Sequence, residues 1–234
     1  MFEVNIVTIF PEVFPGLLDI SILARARKKK IWDLKVTDIK EFLINNEKID
    51  DRPFGGGPGM IIKPDILQRA YEKAIVSFNN PRIDKIEKIM LTPTGENLNQ
   101  EIVEELSTNK EGMLIMCGRY EGVDERFIEH NDLRKISIGN YVLSGGETAA
   151  IVLTEAVVRF LPNVLGNENS KKVESFNKGL LEYPQYTKPR VWKNKSVPEV
   201  LLSGNHAKVD NWRKTQSEII TKKRLTNKNK KNYS

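Results

Sequence analysis

Three short segments of this chain combine glycine with polar or charged neighbours in a way that suits close approach to a ligand. They are Thr92-Pro93-Thr94-Gly95, Gly118-Arg119-Tyr120-Glu121-Gly122 and Ile138-Gly139-Asn140-Tyr141-Val142-Leu143-Ser144-Gly145-Gly146-Glu147. Glycine lets backbone approach a bound molecule, and the N–H and C=O groups so presented can read the edge of a flat base such as adenine. Each segment alone reads more readily as an ordinary turn; three brought to one edge reverse that in favour of a binding site. A fourth cluster, Pro53-Phe54-Gly55-Gly56-Gly57-Pro58-Gly59-Met60, follows Asp50-Asp51-Arg52. No Gly-Lys-Ser/Thr follows it and its spacing is not the dinucleotide fingerprint, so neither phosphate-binding motif applies. Two prolines stiffen this glycine run, which fits sheltering a flat base; the alternative is a long surface loop. Cys117, the only cysteine, cannot form an intrachain disulfide, and with the distant His130 and His206 it cannot assemble a metal cluster.

The elements that must carry these loops alternate between strand and helix. Glu3 to Phe10 reads as a buried first strand, and Val13, Phe14, Leu17, Leu18, Ile22 and Ala26 recur at helical spacing. Leu34–Ile39, Ile86–Leu91, Met113–Cys117 and Ile136–Ile138 read as further strands. Pro64–Phe78, with proline at its start, Leu98–Leu106 and Gly146–Phe160 read as helices. Such alternation predicts a mostly parallel sheet covered on both faces. In open α/β sheets the loops beyond the strands' carboxyl ends share one edge, where ligands bind, so the three loops should meet there. Pro162–Gly179 breaks the pattern and reads as a linker. Beyond it, Asn205–Arg224 reads as a helix capped by Ser203 or Asn205, and Asn227 to Ser234 as a polar, disordered tail.

Charge is segregated along the chain. Residues 171–234 carry 16 Lys or Arg against 5 Asp or Glu, whereas the first 170 carry 21 against 26. A basic third on a mildly acidic body is a footprint for a polyanion, or else a solvated basic tail. No apolar run approaches the roughly 20 residues that span a bilayer, and the amino terminus lacks the basic, apolar, small-residue progression of an export signal. The expectation is a cytoplasmic protein with no membrane partner.

Four segments carry a more specific signal: Asp50 to Met60, Cys117 to Arg126 (Cys-Gly-Arg-Tyr-Glu-Gly-Val-Asp-Glu-Arg), Ser137 to Glu147, and Leu201-Leu202-Ser203-Gly204-Asn205-His206. Together and in this order they resemble the signature segments of bacterial tRNA (guanine-N1)-methyltransferases, which modify the guanosine immediately 3′ of the anticodon. The resemblance runs from the first strand to about Arg224. It implies a SPOUT-class α/β fold with a C-terminal trefoil knot as cofactor site, although the general rule would draw the sheet unknotted. The implied domains are a knotted S-adenosylmethionine-binding unit over 1–161, a linker or lid over 162–179, and a small, mostly helical, basic tRNA-binding domain over 180–234. It also implies a homodimer with composite active sites, magnesium dependence, and tRNA, not DNA, as the nucleic acid.

By the same resemblance Thr92, Pro93, Gly95, Gly118, Tyr120, Ile138, Gly139, Asn140, Tyr141, Val142, Leu143, Gly145 and Gly146 would hold S-adenosylmethionine. Glu121 would lie near the cofactor or the magnesium. Asp50, Arg52, Gly55, Gly56, Gly57, Gly59 and His206 would face the substrate. N1 of guanine carries a proton near neutral pH, so a base must remove it while charge grows on O6, and a carboxylate and a cation suit these two roles. The family's pair maps onto Glu174 as base and Arg159 as the steadying cation. Family members mostly place aspartate where Glu174 stands, and the extra methylene moves the carboxylate by roughly 1–1.5 Å. Without the resemblance, Glu174 would read as a solvated charge beside Lys171 and Lys172, and Arg159 as a helix C-terminal cation complementing the dipole. Two other readings remain: a related knotted methyltransferase with another RNA target, and a non-catalytic RNA-binding protein of the same fold.

Overall fold

The computed structural model describes residues 1–45, 47–79, 82–165 and 179–231, the side chains of 227–231 excepted. The chain divides into two compact units, Met1–Gly166 and Asn167–Ser234.

In the first unit five strands form one sheet, in the order Trp32–Asp38, Phe2–Thr8, Gly112–Cys117, Ile86–Asn97 and Arg134–Ser137, every neighbouring pair parallel. The strands are β1 (Phe2–Thr8), β2 (Trp32–Asp38), β5 (Ile86–Asn97), β6 (Gly112–Cys117) and β7 (Arg134–Ser137). β1 lies inside the sheet and all seven of its residues are buried. Its polar members are satisfied: Glu3 accepts from the Asn79 backbone N–H at 2.8 Å, and Asn5 accepts from the Thr37 hydroxyl at 3.0 Å. β6 shows the two-residue alternation of a doubly covered strand. Met113, Ile115 and Cys117 enter one core, and Leu114 and Met116 the other.

Three helices, α1 (Ser21–Lys28), α3 (Gln100–Asn109) and α5 (Glu147–Phe160), cover the first face, and α2 (Pro64–Val76) and α4 (Glu125–His130) the second. α2 starts on Pro64, whose missing N–H costs nothing at that position. α3 starts on Asn99, whose side-chain oxygen accepts from the Ile102 N–H at 2.9 Å. α5 turns Ala149, Ala150, Leu153, Val157 and Val158 into the core.

Several boundaries differ from expectation. The single helix anticipated over Val13 to Ala26 is two short 3-10 turns, Pro11–Val13 and Gly16–Asp19, followed by α1. Pro15 and Gly16, the latter at φ +48°, break the helix between them. β5 does not stop at Leu91. It continues to Asn97 with a register shift in which Leu91 and Glu96 both pair with Ile136, so residues 92–95 bulge out of the strand. A two-stranded ribbon, β3 (Asp50–Asp51) with β4 (Ile61–Ile62), was not anticipated, nor was α4.

The second unit holds a hairpin, β8 (Val191–Trp192) with β9 (Lys195–Ser196), and a helix, α6 (His206–Lys231). Asn205 caps it by accepting from the Lys208 N–H at 3.1 Å. The helix runs past Arg224 to Lys231, beyond the end expected for it. Residues 232–234 lie outside the described residues.

Candidate active site

The three glycine-bearing loops do meet, at the carboxyl ends of β5, β6 and β7, around a cavity of about 380 Å³. Small-molecule sites fall at roughly 300–1,000 Å³. Of the residues expected to hold the cofactor, Thr92, Pro93, Gly118, Tyr120, Glu121, Ile138, Gly139, Tyr141, Val142, Leu143, Gly145 and Gly146 line it. Asn140 and Gly95 do not. Gly95 serves the sheet instead. A Cβ there would sit 2.5 Å from the Ile136 backbone nitrogen, so glycine allows the β5 bulge to pass over β7. Gly146 is similar, since a Cβ would lie 2.9 Å from Cys117 Cα. Its N–H donates to the Gly118 carbonyl at 3.0 Å.

Two residues not singled out from sequence hold this edge together. Arg119 leaves the end of β6, and its Nε donates to Glu147 Oε2 at 2.9 Å while Nη1 donates to the Ser144 carbonyl at 3.2 Å. The guanidinium lies 4.4 Å from the centre of the Phe10 ring. Glu147, the first residue of α5, is 2% exposed. Its other oxygen accepts from the Thr8 hydroxyl at 2.7 Å, and that hydroxyl accepts from the Phe10 N–H at 3.0 Å. One buried carboxylate thus ties the ends of β1 and β6 to the start of α5, where an acid also complements the helix dipole. Gly145 makes room, because a Cβ would fall 2.1 Å from Arg119 Nε. A carboxylate directly after Gly-Gly was a legible signal for a helix start; its partner 28 residues away was not. Beside the same pair sits Cys117. Burial, and then the Glu147 charge, push its thiol well up, against an opposing pull from Arg119, so it remains a neutral packing residue.

The glycine-rich loop is joined to this cavity through backbone. The β3–β4 ribbon presents residues 52–60 to solvent, with Phe54 99% exposed. The Glu121 N–H donates to the Met60 carbonyl at 3.0 Å, the Ile62 N–H to the Gly122 carbonyl at 3.1 Å, and the Asp124 N–H to the Ile62 carbonyl at 3.3 Å. The Glu121 side chain lies on Gly59, where a Cβ would be 2.3 Å from Glu121 Cγ. Gly55, Gly56 and Gly57 instead have open space around them, and their φ of +87°, +80° and +122° is what requires glycine. Asp50 is not on the cavity wall but is hydrogen-bonded to Tyr120, which is. Burial, then the charge of Asp50 and a hydrogen bond to it, raise the Tyr120 phenol above its ordinary value, with Arg119 opposing. Arg52 is exposed at the loop's start.

Other expected site residues lie apart. Arg159 is not on the cavity wall; it borders a separate cleft with Leu17, Ile20, Ser21, Ile22, Leu23 and Glu155. Glu147 and Arg159 stand near opposite ends of α5, about 18 Å apart along its axis at 1.5 Å per residue. His206 is the first residue of α6 in the second unit. Glu174 falls outside the described residues. Among the described residues no three His, Cys, Asp or Glu are grouped to hold a metal ion. None of the described helices is long and apolar enough to cross a membrane.

The family model described as tRNA (Guanine-1)-methyltransferase TrmD matches residues 2–231. Three relatives carry the name tRNA (guanine-N(1)-)-methyltransferase. One from Pelagibacter ubique (strain HTCC1062) is 49% identical over 236 residues, covering 99% of this chain and all of the relative. One from Chelativorans sp. (strain BNC1) is 46% identical over 95% of this chain and 93% of its own length. One from Bartonella henselae is 44% identical over 98% of each. A family match that takes in both the loop cavity and the basic carboxyl-terminal unit leaves one assignment: the chain belongs to the tRNA (guanine-1)-methyltransferase family.

Proposed function

We propose that this chain transfers a methyl group from S-adenosylmethionine to N1 of the guanosine 3′ of the anticodon in tRNA. The observation that carries the reading is the cavity where the three loops meet, bonded through Met60, Ile62 and Glu121 to the glycine-rich loop expected to face the base. The cavity fits the methyl donor in size, and Gly118, Gly139, Gly145 and Gly146 in its lining let backbone approach a bound molecule. The donor, when bound there, supplies an electrophilic methyl group.

The chain's residues then divide the work among binding, proton removal and charge stabilisation. The loops orient the donor, with Tyr120, Tyr141 and Leu143 as apolar walls, while Asp50, Arg52, the glycines of 55–59 and His206 orient the RNA. Glu174 takes the N1 proton, a step worth about 10²- to 10⁴-fold. Arg159 steadies the charge that grows on O6. The length of α5 between the cavity and Arg159 supports a homodimer in which a second copy supplies one of the pair. Gly146 bonded to Gly118 and Arg119 bridged to Gly145 bring the loops after β6 and β7 side by side, the arrangement that a trefoil knot after β7 would need. A knotted unit over 1–161, a linker over 162–179, a small, mostly helical, basic tRNA-binding unit over 180–234 and a cytoplasmic location belong to the same reading. So does magnesium beside Glu121, which one carboxylate can hold only if waters and substrate oxygens complete its shell.

Mixing two inactive variants tests this. Arg159→Ala and Glu174→Gln should each lose activity yet bind S-adenosylmethionine by calorimetry. Unfolded and refolded together they should regain about a quarter of wild-type turnover, from hybrid dimers with one intact site. No recovery, from a mixture shown to contain hybrids, would refute the composite site.

A further inference from the structure

The second unit contains a feature its own packing does not use. Residues 183–198 hold Lys188, Arg190, Lys193 and Lys195 and no Asp or Glu. Inside this stretch the β8–β9 hairpin pairs Trp192 with Lys195. The chain turns through Lys193 and Asn194, at φ +46° and +61°, and the Val197 N–H closes the base on the Arg190 carbonyl at 3.0 Å. Strands of two residues contribute little stability by themselves, and nothing apolar is buried at the tip, where residues 185–196 are all exposed.

Trp192 itself is 60% exposed. The other two tryptophans behave differently. Trp32 is fully buried, its indole N–H donating to the Leu23 carbonyl at 3.0 Å, and Trp212 packs against Tyr186 with ring centres 6.3 Å apart. The ammonium of Lys193 lies 4.9 Å from the Trp192 ring centre, so a cation already sits beside the indole. An exposed aromatic face among cations, with no carboxylate in the stretch, matches one chemistry: a nucleotide whose base is unpaired, offering a π face beside phosphates. A paired duplex offers phosphates without a free base face.

We propose that Trp192 stacks on an unpaired base of the bound RNA while Arg190, Lys193 and Lys195 contact the adjoining phosphates. This role rests on the reading of the chain as an RNA-modifying enzyme and names a recognition surface for that RNA. Stacking on an aromatic side chain contributes roughly five- to hundredfold in affinity per base.

The test uses the full chain and an unmodified tRNA transcript. Trp192→Ala should bind the transcript roughly five- to hundredfold more weakly, with melting temperature and S-adenosylmethionine affinity unchanged. Trp192→Phe, which keeps a ring, should stay within about threefold of wild type. Tryptophan emission should be quenched by the transcript, and the part due to Trp192 should vanish in Trp192→Phe. Lys193→Ala with Lys195→Ala should lower the slope of log affinity against log salt by roughly 0.7–0.9 per contact, whereas Trp192→Ala should leave it alone. A transcript affinity for Trp192→Ala within twofold of wild type overturns the stacking role while leaving the methyltransferase reading intact. Wild-type protein that neither binds nor methylates the transcript overturns both.

Discussion

Glu147 offers a sharp test of how the cavity is held. Its side chain is 3% exposed and that of Arg119 is 24% exposed. Glu147→Ala removes the acceptor of two bonds, from Arg119 Nε at 2.9 Å and from the Thr8 hydroxyl at 2.7 Å. Breaking a fully buried ion pair costs about 3–5 kcal/mol. Arg119 keeps its bond to Ser144 and its place over Phe10, and water reaches part of it, so the cost here falls to about 2–4 kcal/mol. At about 2–4 °C per kcal/mol for a chain of this size, the melting temperature should drop by about 5–15 °C. Glu147→Gln keeps the shape and an oxygen for Thr8 but loses the charge, for about 1–2 kcal/mol. If the same free energy holds the 118–122 and 144–146 segments in their binding arrangement, S-adenosylmethionine affinity in the Gln variant should fall about 5- to 30-fold. Differential scanning fluorimetry and calorimetry on both variants read the two quantities separately. A melting temperature within about 2 °C of wild type for Glu147→Ala, with unchanged cofactor affinity, would show that Glu147 merely fills space.

Three further outcomes follow from particular residues. The Thr154 hydroxyl is buried in α5 without a hydrogen-bond partner among the described residues, so Thr154→Val should raise stability by about 1 kcal/mol, read as an increased melting temperature. Cys117 should resist iodoacetamide at pH 8 in the native protein and react once unfolded; because its folded pKa is raised, the stability it contributes is intact below about pH 8.5 and declines as pH rises beyond that. Glu174→Gln should bind S-adenosylmethionine normally but lose at least about 10²-fold in single-turnover methylation and flatten the rising limb of the pH profile. Glu174→Asp should keep substantial activity.

The sheet was legible because its inner strands β1 and β6 are buried along their whole length; β6, Gly-Met-Leu-Ile-Met-Cys, needs no context to be recognised. The loops were legible because glycine clusters interrupt those runs. The continuation of β5 was hidden by Thr92-Pro93-Thr94-Gly95, which locally is turn chemistry and becomes a strand bulge only when β7 pairs on both sides of it. The β3–β4 ribbon has two residues per strand, too few for any period to show, and depends on bonds to residues 121–124. Arg119 and Glu147 each read as a local charge, and their pairing exists only once β6 and α5 are brought together. The roles given to Arg159 and to the residues expected to face the base came from resemblance alone, and Arg159 stands at the far end of the 14-residue α5 from Glu147.

Identifying the methylated nucleoside tests the central claim most directly. The protein should be incubated with S-adenosylmethionine and an unmodified tRNA transcript carrying guanosine 3′ of the anticodon, and the digested RNA resolved by liquid chromatography and mass spectrometry. The account predicts N1-methylguanosine, absent from a transcript with adenosine at that position. A methyl group on a ribose 2′-hydroxyl, or none despite measured binding of both S-adenosylmethionine and tRNA, would contradict it.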